Sequence, residues 1–228
     1  MMLYETHCHT SGGSFCGKIA PEDQVDCYHK MGYAGICLTE HFPISKKFEI
    51  TDWNAQVDLI ENSFLAAEKR GREVGVQVFF AYEYGYKGTD ILTYGLGTDW
   101  LRAHPEIAEM RVEEYMRLAH DEGAFLVHAH PFRAAKYIKA IRLVPDLTDA
   151  VEVINANRSD FENGEALHYA EAYGLKKSVG TDNHVGFNKR MCALQVERKL
   201  ENVGDVIETI RTASFEIFDR EQWIPTEA

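Results

Sequence analysis

The chain of 228 residues has no apolar run approaching the ~20 residues that cross a bilayer, and no basic segment leads into an apolar one at its start. Neither a membrane span nor a signal peptide is therefore expected. Positive charge is scarce: 24 Lys and Arg stand against 36 Asp and Glu, a net charge of −12. Nucleic acid and anionic membrane surfaces both need clustered cations, so neither is an expected partner. An acidic substrate stays open if the site carries its own positive charge. CxxC pairs are absent too. The five cysteines (Cys8, Cys16, Cys27, Cys37 and Cys192) are odd in number and scattered, which fits reduced thiols in a cytoplasmic protein, mostly filling core. No linker, repeat or low-complexity segment divides the chain, and nothing in it selects an oligomeric state.

What is present is an ordinary globular composition, 45% apolar and 26% charged, long enough for one domain over 1–228 with a substantial core. Short β-branched runs alternate with longer amphipathic ones. "PEDQVDCYHKMGY" has the Pro start and acidic first turn of a helix. "DWNAQVDLIENSFLAAEKRGREVG" spaces Val57, Ile60, Phe64 and Leu65 as a helix does. "PEIAEMRVEEYMRLAHDEG" reads as one helix ended by Gly123, and a short helix is expected from Arg133. Between these lie the strands "MLYET", "GICLTEH", "VQVFFAYEY", "DILTYGLG", "AFLVHAHP", "AVEVINAN", "KKSVGTDNH", "MCALQV" and "FEIF". The alternation predicts a barrel-like α/β domain of parallel strands.

The placement of polar residues carries the functional information. His7 and His9 in "ETHCHT" face the same way only if the backbone is extended, and could then close on one ion. That pair alone says little. However, "ICLTEH" ends in His41, "VFFAYE" in Glu83, "FLVHAH" in His130, and "SVGTDNH" in Asp182 and His184. In a parallel α/β architecture the carboxyl ends of strands share one face, so these residues should converge. His29, His104, His120 and His168 fall in or beside helices and are assigned no role.

"GGSFCGKI" comes close to the phosphate-loop pattern between Gly12 and Lys18, but Ile19 stands where a magnesium-binding hydroxyl belongs. Cys16 in this loop is either a nucleophile beside a histidine or, as thiolate, a metal ligand; the second is preferred below.

Taken together, "THCHT", "LTEH", "AYEY", "HAHP" and "GTDNH" resemble, in order, the HxH, T-D-H, strand-end Glu, A-H-P and G-S-D-x-H motifs of the PHP (polymerase and histidinol phosphatase) superfamily. They run from residue 7 to 184. The resemblance implies a distorted seven-stranded β/α barrel, TIM-barrel-like, holding two or three divalent ions and hydrolysing phosphoesters. Carried over, one ion takes His7, His9, Glu83 and Asp182; a second takes Glu83, His130 and the residue opening the next strand; a third takes His41, His184 and a loop residue. The chain departs from the family's pattern at two of these, with Cys16 (or Ser14) in the loop and Asp90 at the strand start. Thiolate favours Zn or Fe over Mn, while the carboxylates pull the other way.

Three divalent ions with Cys16, Glu83, Asp90 and Asp182 ionised leave the cluster at about +2, suited to a small phosphorylated substrate attacked by a metal-activated hydroxide. Arg133 is the best candidate for a forked phosphate contact; Lys18 and Arg158 are weaker ones. His128 is a candidate proton donor, and Asn155 is expected to orient the site. Two other readings are an amidohydrolase-type barrel, which needs a bridging lysine, and a non-catalytic metal-binding PHP module.

Overall fold

The computed structural model describes residues 1–221. Its elements in order are β1 (Met2–Cys8), α1 (Pro21–Lys30), β2 (Tyr33–Phe42), α2 (Trp53–Val74), β3 (Gln77–Tyr86), β4 (Thr89–Tyr94), α3 (Thr98–Ala103), α4 (Val112–Asp121), β5 (Phe125–Ala129), β6 (Ala150–Asn155), α5 (Asp160–Tyr173), β7 (Lys176–Gly180), β8 (Arg190–Val196), α6 (Val203–Thr212) and β9 (Glu216–Glu221). All nine strands form one sheet in the order β7-β6-β5-β4-β3-β2-β1-β8-β9. Among the described residues no helix is long and apolar enough to cross a membrane.

The sheet nearly closes into a barrel, but it has nine strands where seven were expected. β1 explains the difference. Its first half pairs antiparallel with β8, through Met2, Leu3 and Tyr4. Its second half turns to the end of β7: Thr6 Oγ1 donates to the Val179 carbonyl, and the Asp182 N–H donates to the His7 carbonyl at 2.8 Å. β8 and β9 therefore extend a seven-strand ring from one of its own members.

The expectation of parallel strands throughout also needs correction. β4 runs antiparallel to both β3 and β5, because only Lys87 and Gly88 separate it from β3. Both have positive φ (51° and 86°), the form of a two-residue hairpin turn, and no crossover fits in so short a link. The reversal brings the start of β4, with Asp90, to the end of the barrel where β1, β2, β3, β5, β6 and β7 finish.

Two helices differ from expectation for local reasons. The stretch from Pro105 splits into a 3-10 turn over Pro105–Glu109 and α4, since the Tyr84 hydroxyl donates to the carbonyls of Ile107 and Met110. No helix begins at Arg133: its N–H closes a single turn on the His130 carbonyl, and that of Ala134 is drawn to Glu162 of α5. In α2, Val57 and Ile60 are buried but Leu65 is 49% exposed; Ser63, Ala67 and Gly71 complete the inward face.

Strand alternation sorts the core. Ala81 and Leu92 pack inside with Tyr94, Val127 and Ala129. Tyr82, Tyr84 and Ile91 face outward onto α4, where Tyr84 stacks on Tyr115 at 3.6 Å between ring centres. Glu83, two residues beyond Ala81, accordingly points inward.

Candidate metal centre

At the end of β1 the ladder slips. The β1–β2 register shifts between Glu5 and Cys8, which frees backbone N–H groups from regular pairing. The Glu5 carboxylate collects them: it accepts from the N–H of Thr6 (3.0 Å) and His7 (2.9 Å), and from Thr181 at the end of β7 (2.9 Å). Beyond the slip, His7 and His9 share the inner face, with Nε2 atoms 3.0 Å apart.

Their protonation can be deduced from what the other ring nitrogens touch. His7 Nδ1 lies 2.8 Å from Glu152 Oε1, a pure acceptor when ionised, so Nδ1 carries the proton. His9 Nδ1 lies 3.1 Å from Ser14 Oγ, and Ser14 donates its own proton to Glu40, so His9 Nδ1 is a donor as well. With both Nδ1 atoms serving as donors, each neutral ring would present its Nε2 lone pair to the same point. Asp182 Oδ1 lies 3.5 Å from both Nε2 atoms, and Glu83 sets Oε1 3.5 Å from His7 Nε2 and Oε2 3.5 Å from His9 Nε2. A tetrahedral shell with ligands about 2.0–2.1 Å from its ion has edges of about 3.3–3.4 Å, close to these separations. Such a set needs positive charge, from a proton shared across the 3.0 Å Nε2–Nε2 contact or from a metal cation in its place.

The remaining candidates extend the cluster. Glu83, Asp90 and His130 bring one ligand atom each within 4.8 Å of one another, as do His9, His41 and His184, and His7, His130 and Glu152. His130 Nε2 is 3.2 Å from Glu83 Oε1, and His41 Nδ1 is 2.6 Å from Glu83 Oε2. Neither approach has hydrogen-bond alignment, so both Glu83 oxygens and His130 Nε2 are buried without a hydrogen-bond partner. The His9 ring packs against those of His41 and His184, at 4.4 and 4.3 Å, and these two lie 5.9 Å apart. His130 and Asp182 both adopt positive φ, 28° and 54°, a backbone strain that non-glycine residues bear mainly at functional sites.

Electrostatics shows the same need for positive charge. Burial would raise the Glu83 carboxyl, yet the charge on His41 and His7 holds it well below the usual range. Asp182, also buried, is held low chiefly by His7. Burial would lower His7, but Glu152, Asp182 and Glu83 lift it well above an ordinary imidazole. Burial and its neighbours His41 and His184 push His9 the other way.

The cluster opens to solvent through His41 and His184, whose side chains are 30% and 21% exposed. Cys16 lies at this opening, Sγ 3.2 Å from His41 Nε2. Burial raises its thiol, but contacts with His184 and His41 outweigh that and bring it to about 6. Ser14, the alternative to Cys16, is instead buried against His9, Glu40 and the His41 N–H. Asp90 is not free: Arg133 Nη2 donates to its Oδ2 at 2.6 Å.

The other expected site residues are dispersed. His128 is buried edge-on against Tyr169 of α5, on the opposite face of β5 from the inward Val127 and Ala129, because side chains alternate along a strand. Asn155 is fully buried and donates to Glu152 Oε2 at 2.9 Å, orienting that carboxylate instead of facing solvent. Lys18 is exposed and Arg158 half-buried, on separate loops. His29 and His168 are exposed, while His104 and His120 pair with Glu106 and Asp149 away from the cluster. The residue that sequence reasoning missed is Glu152, which holds His7 and also accepts the His130 N–H. Its signal was available: one charge at the centre of the apolar run "AVEVI".

No family model and no curated protein matches the sequence. Solved structures do resemble the fold. A two-domain protein from Bacteroides vulgatus ATCC 8482, described as containing a predicted PHP-like metal-dependent phosphoesterase, superposes with a TM-score of 0.68 at 17% identity over 95% of the chain, which spans 64% of that protein's length. PsfC from Pseudomonas syringae PB-5123 gives 0.64 at 17% identity, covering 96% of this chain and 91% of PsfC. A protein from Bifidobacterium adolescentis ATCC 15703, described as a metal-dependent phosphoesterase, gives 0.54 at 14% identity, covering 90% and 94%. The PHP resemblance read from the motifs is thus matched by a PHP-like fold.

Proposed function

We propose that this protein is a metal-dependent hydrolase of a small phosphate ester, with two or three divalent ions among the strand-end side chains. The observation that carries the reading is the Glu83 carboxylate, fully buried with both oxygens lacking a hydrogen bond, inside a shell of imidazole and carboxylate acceptors. Native interiors rarely leave such a group uncompensated.

In this reading His7, His9, Glu83 and Asp182 hold one ion, and Glu83 with His130 and Asp90 a second. His41 and His184, with His9 behind and Cys16 alongside, hold a third. Mixed imidazole and carboxylate donors suit Zn, Fe or Mn. Bound there, such ions supply Lewis acidity to a phosphoryl group and make water acidic enough to ionise near neutral pH. Glu152 fixes the tautomer of His7, as carboxylate partners of ligating histidines do. Asp90 holds Arg133 through a single nitrogen, leaving the rest of the guanidinium fork to orient a phosphate. Glu83, and no lysine, stands between the ligand sets, which disfavours the amidohydrolase-type reading.

The test is to strip the protein with chelator, reload it with Zn, Mn or Fe(II), and measure metal content beside a panel of phosphate esters. Hydrolysis that appears with two or more bound ions and disappears on chelation is expected. One ion or fewer per chain, or turnover indifferent to chelator, overturns the reading.

A further inference from the structure

Two loops frame the solvent opening at His41 and His184, and both hold large apolar side chains out in water. Phe15, beside Cys16, is 45% exposed; Val185 and Phe187, just after His184, are 50% and 44% exposed. Both loops are internally hydrogen-bonded. The first loop is closed by hydrogen bonds from the N–H of Ser11 to Ile19, Ser14 to Thr10 and Gly17 to Ser14. At Gly17 a Cβ would lie 2.2 Å from the Thr10 backbone, so the turn tolerates no side chain there and Phe15 is left at its apex. In the second loop, fully buried Asn183 accepts from the N–H of Val185 and Gly186 and donates to the Gly186 carbonyl.

The two loops are also fastened together. The Lys18 N–H donates to the His184 carbonyl at 2.8 Å, and a Cβ on Gly186 would lie 2.6 Å from Ile19. Phe15 is braced from its other side by the Phe48 ring, edge-on at 5.6 Å, with the Lys47 ammonium 4.9 Å from its centre. Apolar side chains set on hydrogen-bonded loops beside a polar centre are what lines small-molecule sites.

We infer that the alcohol portion of the substrate is aromatic or otherwise apolar, and that it rests on Phe15, Val185 and Phe187 while its phosphate faces the cluster. The inference depends on the phosphoesterase reading and narrows it from phosphate esters in general to those of apolar alcohols. A polyhydroxylated sugar would lose water's hydrogen bonds over this surface and gain few in return.

The experiment compares inert phosphonates on the metal-loaded protein by calorimetry, benzylphosphonate against methylphosphonate, so that leaving-group reactivity plays no part. Benzylphosphonate should bind about tenfold or more tightly, as expected for an aromatic ring settling on an apolar site. The double variant Phe15→Ser/Phe187→Ser should bring that ratio close to one. Phe161→Ser, at a 75% exposed position on α5, should keep it. Equal binding of both phosphonates by the unaltered protein, or a ratio that survives the double substitution, overturns the inference and leaves the phosphoesterase reading standing. Absence of binding by either phosphonate overturns both.

Discussion

Four glutamates are buried at the same end of this barrel, and Glu5, Glu40 and Glu83 among them are treated in two opposite ways. Glu40 accepts from the hydroxyls of Thr10, Ser14 and Ser63 and from the Thr10 N–H. Glu5 accepts from Tyr28 and from three backbone N–H groups. Glu83 has no hydrogen-bond partner. The pKa directions divide the same way. Burial pushes Glu5 up to about 7 and also raises Glu40, because neutral donors compensate a buried charge only in part. Glu83 is held well below its ordinary value by neighbouring positive charge. A carboxylate surrounded by dipoles braces the fold. Glu83 is instead set among imidazoles, with His41 Nδ1 2.6 Å and His130 Nε2 3.2 Å from its oxygens, the donor types that share a metal ion with a carboxylate.

The widest separation between the two kinds should come from Glu83→Gln. It should lower metal-dependent hydrolysis by about three orders of magnitude or more, as loss of a ligand shared by two ions implies. Near-normal turnover in that variant would erase the distinction drawn here.

Glu40→Ala should do the reverse. It strips the acceptor from three hydroxyls and a backbone N–H, and should cost about 3 kcal/mol in urea unfolding of the metal-free protein. A loss within about 0.5 kcal/mol, the range of an ordinary surface substitution, would mean that this network contributes little to the fold.

Glu152→Gln tests the border between the classes, because Glu152 braces His7 and His130 yet touches the cluster. An amide can still accept from His7 Nδ1, but without the charge that raises ligand basicity. Metal affinity should fall about 10- to 100-fold in competition with a chromophoric chelator, with a smaller change in stability than Glu40→Ala produces. Unchanged affinity would place Glu152 with Glu40.

Much of this site was legible beforehand, for a physical reason. His41, Glu83, His130, Asp182 and His184 each follow an apolar strand, and strand ends in a barrel face one way whatever the details of packing. Legibility failed where the answer depended on a partner distant in sequence. Arg133 is anchored on Asp90 only because β4 reverses at Lys87–Gly88 and carries Asp90 back to the rim. His128 turns toward Tyr169 because strand parity assigns it to the outer face. The helix expected at Arg133 is replaced by a loop whose N–H groups bond elsewhere.

What the sequence by itself determined is therefore the alternation of apolar strand and amphipathic helix and the chemical type of residue at each strand end. Those properties are written in periodicity, which is local and acts before any long-range contact forms. The tertiary structure alone decided that β1 divides its edge between β8 and the end of β7, so that nine strands form the sheet. It also decided that Glu152 holds His7 across 145 positions, and that Glu83 is left without a donor while Glu40 has four. Hydrogen bonds act over about 3 Å, and which acceptors find donors at that range depends on how distant segments meet.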